Sequence, residues 1–249
     1  MISLSIHCNL GKSNVMKFKI DEQIFKKFPN FMCGVVVCKG VNNVGTDENL
    51  LQKIKSAEES NRKEFVKEGL GSVPYFKEWR KAYSSFGVDP TKFKCSSEAI
   101  ARRVIKGDSI PHVNKLVDSY NYISLKYHTP CGGEDIDKMN GDTILKYSEG
   151  SEKYTQLGSK EETKVSKGEV VYVSGDEVIC AKWNWRESEK TKLTEDTRNA
   201  FVIVEALPPL TFDVMKEASE ELASSISTAC GIFPEVHYVT EENHSCEIY

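Results

Sequence analysis

Nothing in this 249-residue sequence marks it for a membrane or for export. No apolar run approaches the roughly 20 residues that span a bilayer. Residues 1–6 lack the basic start and long apolar stretch of a signal peptide. The eight cysteines, at 8, 33, 38, 95, 131, 180, 230 and 246, form no C-x-x-C pair, which excludes a zinc knuckle and a thioredoxin-like site. His7, His112, His128, His237 and His244 show no H-E-x-x-H or other metal spacing, so no metal is expected. There is no G-x-S-x-G nucleophile elbow. A phosphate-cradling P-loop is also missing, which argues against ATP-dependent ligation by this chain alone. No internal repeat appears at a solenoid period, and no cofactor is indicated. An excess of one charge is lacking too. The net charge is -4 and the pI about 5.8, which excludes binding DNA or RNA by bulk charge. Reduced thiols and a cytoplasmic location are the expectation.

What remains is the composition of an ordinary globular protein, 39% hydrophobic and 28% charged, long enough for one large core or two small ones. Two alternating pieces, 3–6 and 15–20, read as a hairpin or edge strands, followed by a turn of helix at 22–28. The β-branched run 33–38 reads as a buried strand. Thr46 is expected to cap a long helix with Leu50, Leu51, Ile54 and Ala57 inward, continuing exposed and charged over 57–68 to Gly69 and Gly71. Pro74 opens another helix, whose stripe Phe76, Trp79 and Tyr83 reads as core. The polar segment 150–168 is expected to be an exposed excursion. Strands follow at 170–173, 178–181 and 201–204, the first pair joined by Ser174-Gly175-Asp176. Thr211 caps and Gly231 ends a last helix, 236–239 returns as a strand, and a loose tail covers 240–249. Strands and helices mix without strict alternation. The expectation is α+β: a single compact domain over 1–249, mixed strands flanked by helices.

Residues 95–142 carry the most information. Ser96 or Ser97 can cap a helix with Glu98 in its first turn and Ile100, Val104 and Ile105 on its apolar face, stopped by Gly107. A second helix is expected from near Ser109, with Val113, Leu116, Tyr120, Ile123 and Tyr127 at helical spacing. Asn114, Asp118 and Asn121 then share one face, which is either a pocket edge or a solvated surface. Residues 74–106 hold eight basic side chains against three acidic ones, so Arg102, Arg103 and Lys106 could dock a phosphate backbone or form a plain basic face. In Lys182-Trp183-Asn184-Trp185-Arg186 the two tryptophans would share a face if the preceding strand continues. They read equally as core packing or as an aromatic wall with Asn184 and Arg186 as donors. Glu205 ends an apolar strand, where a carboxylate is costly unless partnered. Cys131, beside Gly132-Gly133, has no base close in sequence to make it a nucleophile.

Two ordered blocks resemble a known family. The first is Cys95-Ser96-Ser97-Glu98-Ala99-Ile100-Ala101-Arg102-Arg103 followed by Ile110-Pro111-His112-Val113-Asn114-Lys115-Leu116-Val117-Asp118-Ser119-Tyr120-Asn121-Tyr122, and then the corner from Thr129-Pro130 to Lys138. The second is Lys182-Trp183-Asn184-Trp185-Arg186, Thr194-Glu195-Asp196-Thr197 and Val204-Glu205-Ala206. They resemble the tRNA-editing domain of the phenylalanyl-tRNA synthetase beta subunit, and more closely its free-standing relatives, over roughly residues 20–235. The resemblance implies a cleft between strand-rich and helical parts. It also implies hydrolysis of the ester of a misacylated aminoacyl-tRNA, with aminoacylated tRNA as partner and an aminoacyl-tRNA synthetase as a second one. Asn121 matches an asparagine of the editing pocket. Glu205 aligns with the position that binds the hydroxyl distinguishing tyrosine from phenylalanine. These two are the expected catalytic residues. Asn114, Asp118, Gly132, Gly133, Trp183, Asn184, Trp185 and Arg186 are expected at the substrate, and Arg102, Arg103 and Lys106 at RNA. Gly132 stands where the family has a pocket histidine, and Trp185-Arg186 replaces a glycine pair, so a smaller or more polar aminoacyl group is implied. An aminoacyl ester is activated, and an oriented water, a few amide donors and the terminal ribose hydroxyl suffice to cleave it. The alternatives are a non-catalytic module binding tRNA or an amino acid, and a synthetase partner docking through the helix at 53–67.

Overall fold

A computed structural model describes residues 15–65 and 69–249. The twelve strands are β1 (Lys17–Ile20), β2 (Met32–Lys39), β3 (Cys131–Asp135), β4 (Thr143–Tyr147), β5 (Lys153–Thr155), β6 (Glu162–Lys164), β7 (Val170–Ser174), β8 (Glu177–Ala181), β9 (Arg186–Glu187), β10 (Asn199–Ala206), β11 (Glu235–Val239) and β12 (Ser245–Glu247). The helices are α1 (Glu22–Lys27), α2 (Glu48–Phe65), α3 (Pro74–Ser85), α4 (Ser96–Ile105), α5 (Lys115–Tyr127) and α6 (Phe212–Cys230). The strands form two sheets. One has the order β11-β2-β10-β3. The other has the order β12-β1-β4-β7-β8-β5-β6, with β9 also pairing with β8. The chain is therefore α+β, as expected.

The period of two along β10 explains the layering. Ala200, Val202, Val204 and Ala206 pack with Leu116, Ile123, Met215 and Leu222 of α5 and α6 in one core. Phe201 and Ile203 turn the other way and pack with Phe18, Tyr172, Ile179 and Trp183 in a second core between the two sheets. The smaller sheet thus has helices on one face and the larger sheet on the other, and Glu205 lies on the inter-sheet face. α6 sits close to β2 because Gly34 has no side chain: a Cβ there would lie 1.9 Å from Ser219 Oγ.

Several local expectations change. The cap of α2 is Asp47, which accepts from the Leu50 N–H at 2.8 Å, and not Thr46. Ala57, Glu58, Asn61 and Phe65 are buried, so α2 is not exposed from 57 onward. Cys95 precedes α4 without a side-chain cap, because Ser97 is buried beneath the helix start. The second central helix begins at Lys115, not near Ser109. Side chains hold the 109–114 segment extended: Glu58 accepts from Ile110 N at 2.5 Å and Asp118 from Val113 N at 3.2 Å. The segment 150–168 carries β5 and β6 and buries Tyr154 and Val165. β1 is not half of a hairpin but runs parallel to β4 and antiparallel to β12. That pairing also corrects the loose tail, since Ser245–Glu247 is a strand and Ile248 is fully buried. The piece expected at 3–6 lies outside the described residues.

Candidate functional site

Between α4, α5 and the facing strands lies a cavity of about 200 Å³. Its floor is the inter-sheet face of β3 and β10. Gly132 pairs with Ile203 and Glu134 with Phe201, so these residues and Glu205 point the same way. Its roof is Tyr120 and Asn121 of α5 and Ile100 of α4, and its far wall is Tyr172, Cys180 and the turn into β9.

That turn holds the tryptophans. Lys182 and Trp183 have φ of 50° and 64°, a left-handed conformation that is strained for a bulky residue. The strand therefore does not continue through it, and the two tryptophans do not share a face. Trp183 is fully buried, 5.1 Å from the Trp79 ring and 5.0 Å from Phe31. Trp185 is partly exposed, against Phe93 at 4.9 Å, with Lys182 and Arg186 over its ring. Core packing and exposed wall are thus both present, one in each residue.

Glu205 fixes this turn. Its Oε1 accepts from Tyr172 Oη and Trp183 Nε1, both at 2.7 Å, and its Oε2 from Asn184 Nδ2 at 2.8 Å. Three of about four acceptor sites are filled, leaving one on Oε2. Burial pushes its carboxyl up to about 7, although the three donors pull the other way. Asn184 is held from both sides: Oδ1 accepts from Tyr83 Oη at 2.9 Å, and its carbonyl accepts from Ser96 N at 3.1 Å. It lines the cavity as part of this network.

Asn121 differs. Its side-chain amide lines the cavity and makes no hydrogen bond with the described residues. The other two residues of its predicted face do not reach the cavity. Asn114 caps α5, accepting from Val117 N at 3.0 Å and donating to Leu193 O at 3.2 Å. Asp118 is buried against His112 Nδ1 at 2.5 Å. Both are committed to the chain because α5 begins at Lys115, six residues later than the expected start near Ser109. Gly133 packs its backbone against Phe201 O and Leu193, where a Cβ would clash. Cys131 points to the helical core, and burial pushes its thiol well above the ordinary range, so it is no nucleophile.

Two cavity residues escaped the sequence reading. Glu134 is 4% exposed, and its Oε2 has no hydrogen-bond partner. Glu187 is partly open to the cavity and sits over the Gly132-Gly133 backbone, its Oε1 3.2 Å from where a Gly132 Cβ would be. Its carboxylate occupies the space a side chain at 132 would fill. Burial raises both carboxyls, Glu187 to about 7 and Glu134 well above its ordinary value, with the Glu187 charge adding to the rise of Glu134. A carboxylate in a strand was the signal that found Glu205. It was present for Glu134 too, but Gly132-Gly133 reads as a corner rather than a strand.

The basic residues divide. Glu98, fully buried, pairs with Arg80 and with Arg102 Nε at 2.6 Å, so Arg102 is not a free cation. Arg103 donates to Ser109 O at 2.8 Å, and Lys106 is exposed at the end of α4. Among the described residues no group of three or more His, Cys, Asp or Glu is placed to hold a metal, and no helix is long and apolar enough to cross a membrane.

An α+β fold with an aromatic and carboxylate-lined cavity between sheets and helices defines the class. The chain belongs to the B3/4 domain family, whose model matches residues 78–231. It is 25% identical over 167 residues to the phenylalanine–tRNA ligase beta subunit of Fusobacterium nucleatum subsp. nucleatum, which covers 67% of this chain and 19% of that subunit. The chain thus spans about a fifth of that relative. An N-terminal fragment of the phenylalanyl-tRNA synthetase beta subunit from Pyrococcus horikoshii matches with a TM-score of 0.47 and 16% identity, covering 96% of this chain and 55% of that one.

Proposed function

We propose that this chain hydrolyses the ester of a misacylated aminoacyl-tRNA. The observation that carries the reading is the contrast among the polar residues expected at the site. Asn114, Asp118 and Asn184 are spent on the fold, while the Asn121 amide is left facing the space with no partner. A free amide beside an aromatic-walled cavity supplies what an activated ester requires, a donor for the carbonyl oxygen or for an attacking water. The aminoacyl side chain enters between Tyr120, Tyr172 and Trp185, and the open acceptor on Glu205 Oε2 meets a polar group on it. Arg186, exposed and lining the cavity, would meet the tRNA end, and the exposed Lys106 at the end of α4 offers a further phosphate contact.

The test is release of amino acid from a panel of mischarged tRNAs, run beside filter binding. Release by the wild type, lowered about 10²-fold by Asn121→Ala on every substrate with an unchanged melting temperature, is the expected result. Binding without release would make the chain a tRNA-binding module, and neither would leave a synthetase-docking role.

A further inference from the structure

The cavity contains more negative charge than an ester-cleaving site of amide donors requires. Glu134 and Glu187 face it from two different sheets, on β3 and β9. They are close enough to share neighbours: both charges act on Tyr120 from α5 and on Cys180 from β8. Glu134 Oε2 is buried and makes no hydrogen bond of normal geometry, and the group beside it is the neutral Thr191 hydroxyl, not a cation. The nearest cations, Lys138 and Arg186, act on the two carboxylates through space but make their direct contacts elsewhere. Lys138 pairs with Asp135 at 2.8 Å, and Arg186 lies over the Trp185 ring at 5.6 Å. Two like charges in a water-poor wall oppose each other's ionisation, and an unpartnered buried carboxylate costs stability. A fold that retains both has an arrangement completed by a positive group from outside.

We propose that Glu134 and Glu187 form a subsite for a primary ammonium group of the guest, either the α-ammonium of the aminoacyl moiety or the side-chain ammonium of a basic one. This rests on the hydrolase reading for its substrate and names which part of that substrate the carboxylates hold. An ammonium has three donors, enough to reach Glu134 Oε2 and Glu187 Oε1 together. Its charge lets both carboxyls ionise at once, the displaced proton going to water. Gly132 leaves room for this: a Cβ there would lie 3.2 Å from Glu187 Oε1 and would crowd the carboxylate.

The experiment separates the two ammonium sources and needs no tRNA. NMR titrations of the full chain use four probes: L-lysinamide, L-norleucinamide, Nα-acetyl-L-lysinamide and the neutral Nα-acetyl-L-norleucinamide. The expected result is at least tenfold weaker binding of the neutral compound than of an ammonium-bearing one. Binding of norleucinamide assigns the α-ammonium, and binding of Nα-acetyl-lysinamide assigns the side chain. The near-isosteric Glu134→Gln, Glu187→Gln double variant should abolish the preference, with each single variant as a control for folding by its melting curve. The probe series on the unaltered chain stands whether or not the variants fold. If no ammonium compound binds, or the neutral one binds within twofold of the others, or the folded double variant keeps the preference, the proposal is overturned. Release from tRNA without an ammonium preference sinks this subsite alone. An ammonium preference without release sinks the hydrolase reading alone.

Discussion

Glu205 is connected in a way that makes charge and shape inseparable. Its two oxygens gather donors from β7, from the left-handed turn and from Asn184, which in turn holds α3 and α4 through Tyr83 and Ser96. Glu205→Gln sets an amide N–H against the Asn184 amide or, flipped, against Tyr172 and Trp183. It should therefore cost about 1–3 kcal/mol as well as alter which aminoacyl group is accepted. Glu205→Ala, which strands all three donors, should cost about 3–5 kcal/mol in urea unfolding at pH 8. Full retention of stability by Glu205→Gln would contradict this network. The raised carboxyls predict a pH dependence of definite sign. With Glu205 and Glu187 at about 7 in the folded chain and near 4.5 unfolded, the unfolded state is ionised first. Stability should fall as pH rises from about 4.5 to 7 through these two groups, with Glu134 adding in the same direction. Glu187→Gln should flatten that slope, read from urea midpoints between pH 5 and 8. Glu187 is faced by Arg186, Tyr120 and Glu134, and Glu205 by Tyr172, Asn184, Trp183, Cys33 and Cys131. Glu152 works in another window. Burial opposes its ionisation, but Lys146 at 2.8 Å and backbone donors hold it at about 2, so its contribution is complete above the ordinary carboxylate pKa and lost only in acid.

At the level of elements, the contact of α6 with β2 through Gly34 tolerates no side chain. Gly34→Ala must displace Ser219, whose hydroxyl is already bonded to Met215 O at 2.8 Å, and should destabilise by about 1–3 kcal/mol in thermal or urea melts. An unshifted melting curve would show that α6 can move away from the sheet. Elements of this kind were legible where periodicity is local. β2, α3, β7, β8, β10 and α6, with its Thr211 cap and Gly231 stop, lie where apolar spacing and cap residues put them. What was not legible depends on distant partners. The start of α5 moved because Glu58, more than fifty residues earlier, takes the Ile110 N–H. β12 reads as polar tail because its partner β1 is far off in sequence. The Trp183 turn reads as strand because left-handed backbone at Lys182 and Trp183 leaves no mark in residue type. The site shows the same division: Asn121 and Glu205 come from motif and chemistry, while the Glu134–Glu187 pair exists only once two sheets face each other.

For the whole molecule, an acidic chain can meet a polyanion only through a local surface. With Arg80 and Arg102 closed on buried Glu98, the exposed cations of residues 96–106 are Arg103 and Lys106, at the end of α4. Arg103→Ala with Lys106→Ala should weaken tRNA binding across all sequences and reduce the slope of log affinity against log salt by about 1.5. Arg102→Ala should instead show in the melting curve, because it leaves Glu98 short of a partner. An unchanged slope in the first pair would place the RNA elsewhere. The pairing of Lys17 with Glu247 has a temporal meaning as well. During synthesis β1 emerges before its partners, and its parallel neighbour β4 follows more than a hundred residues later. Its antiparallel neighbour leaves the ribosome only after the whole cavity has been made. Until then β1 carries an open edge, so the nascent chain has Asn121, Glu134, Glu187 and Glu205 in hand while the sheet behind them is still unfinished.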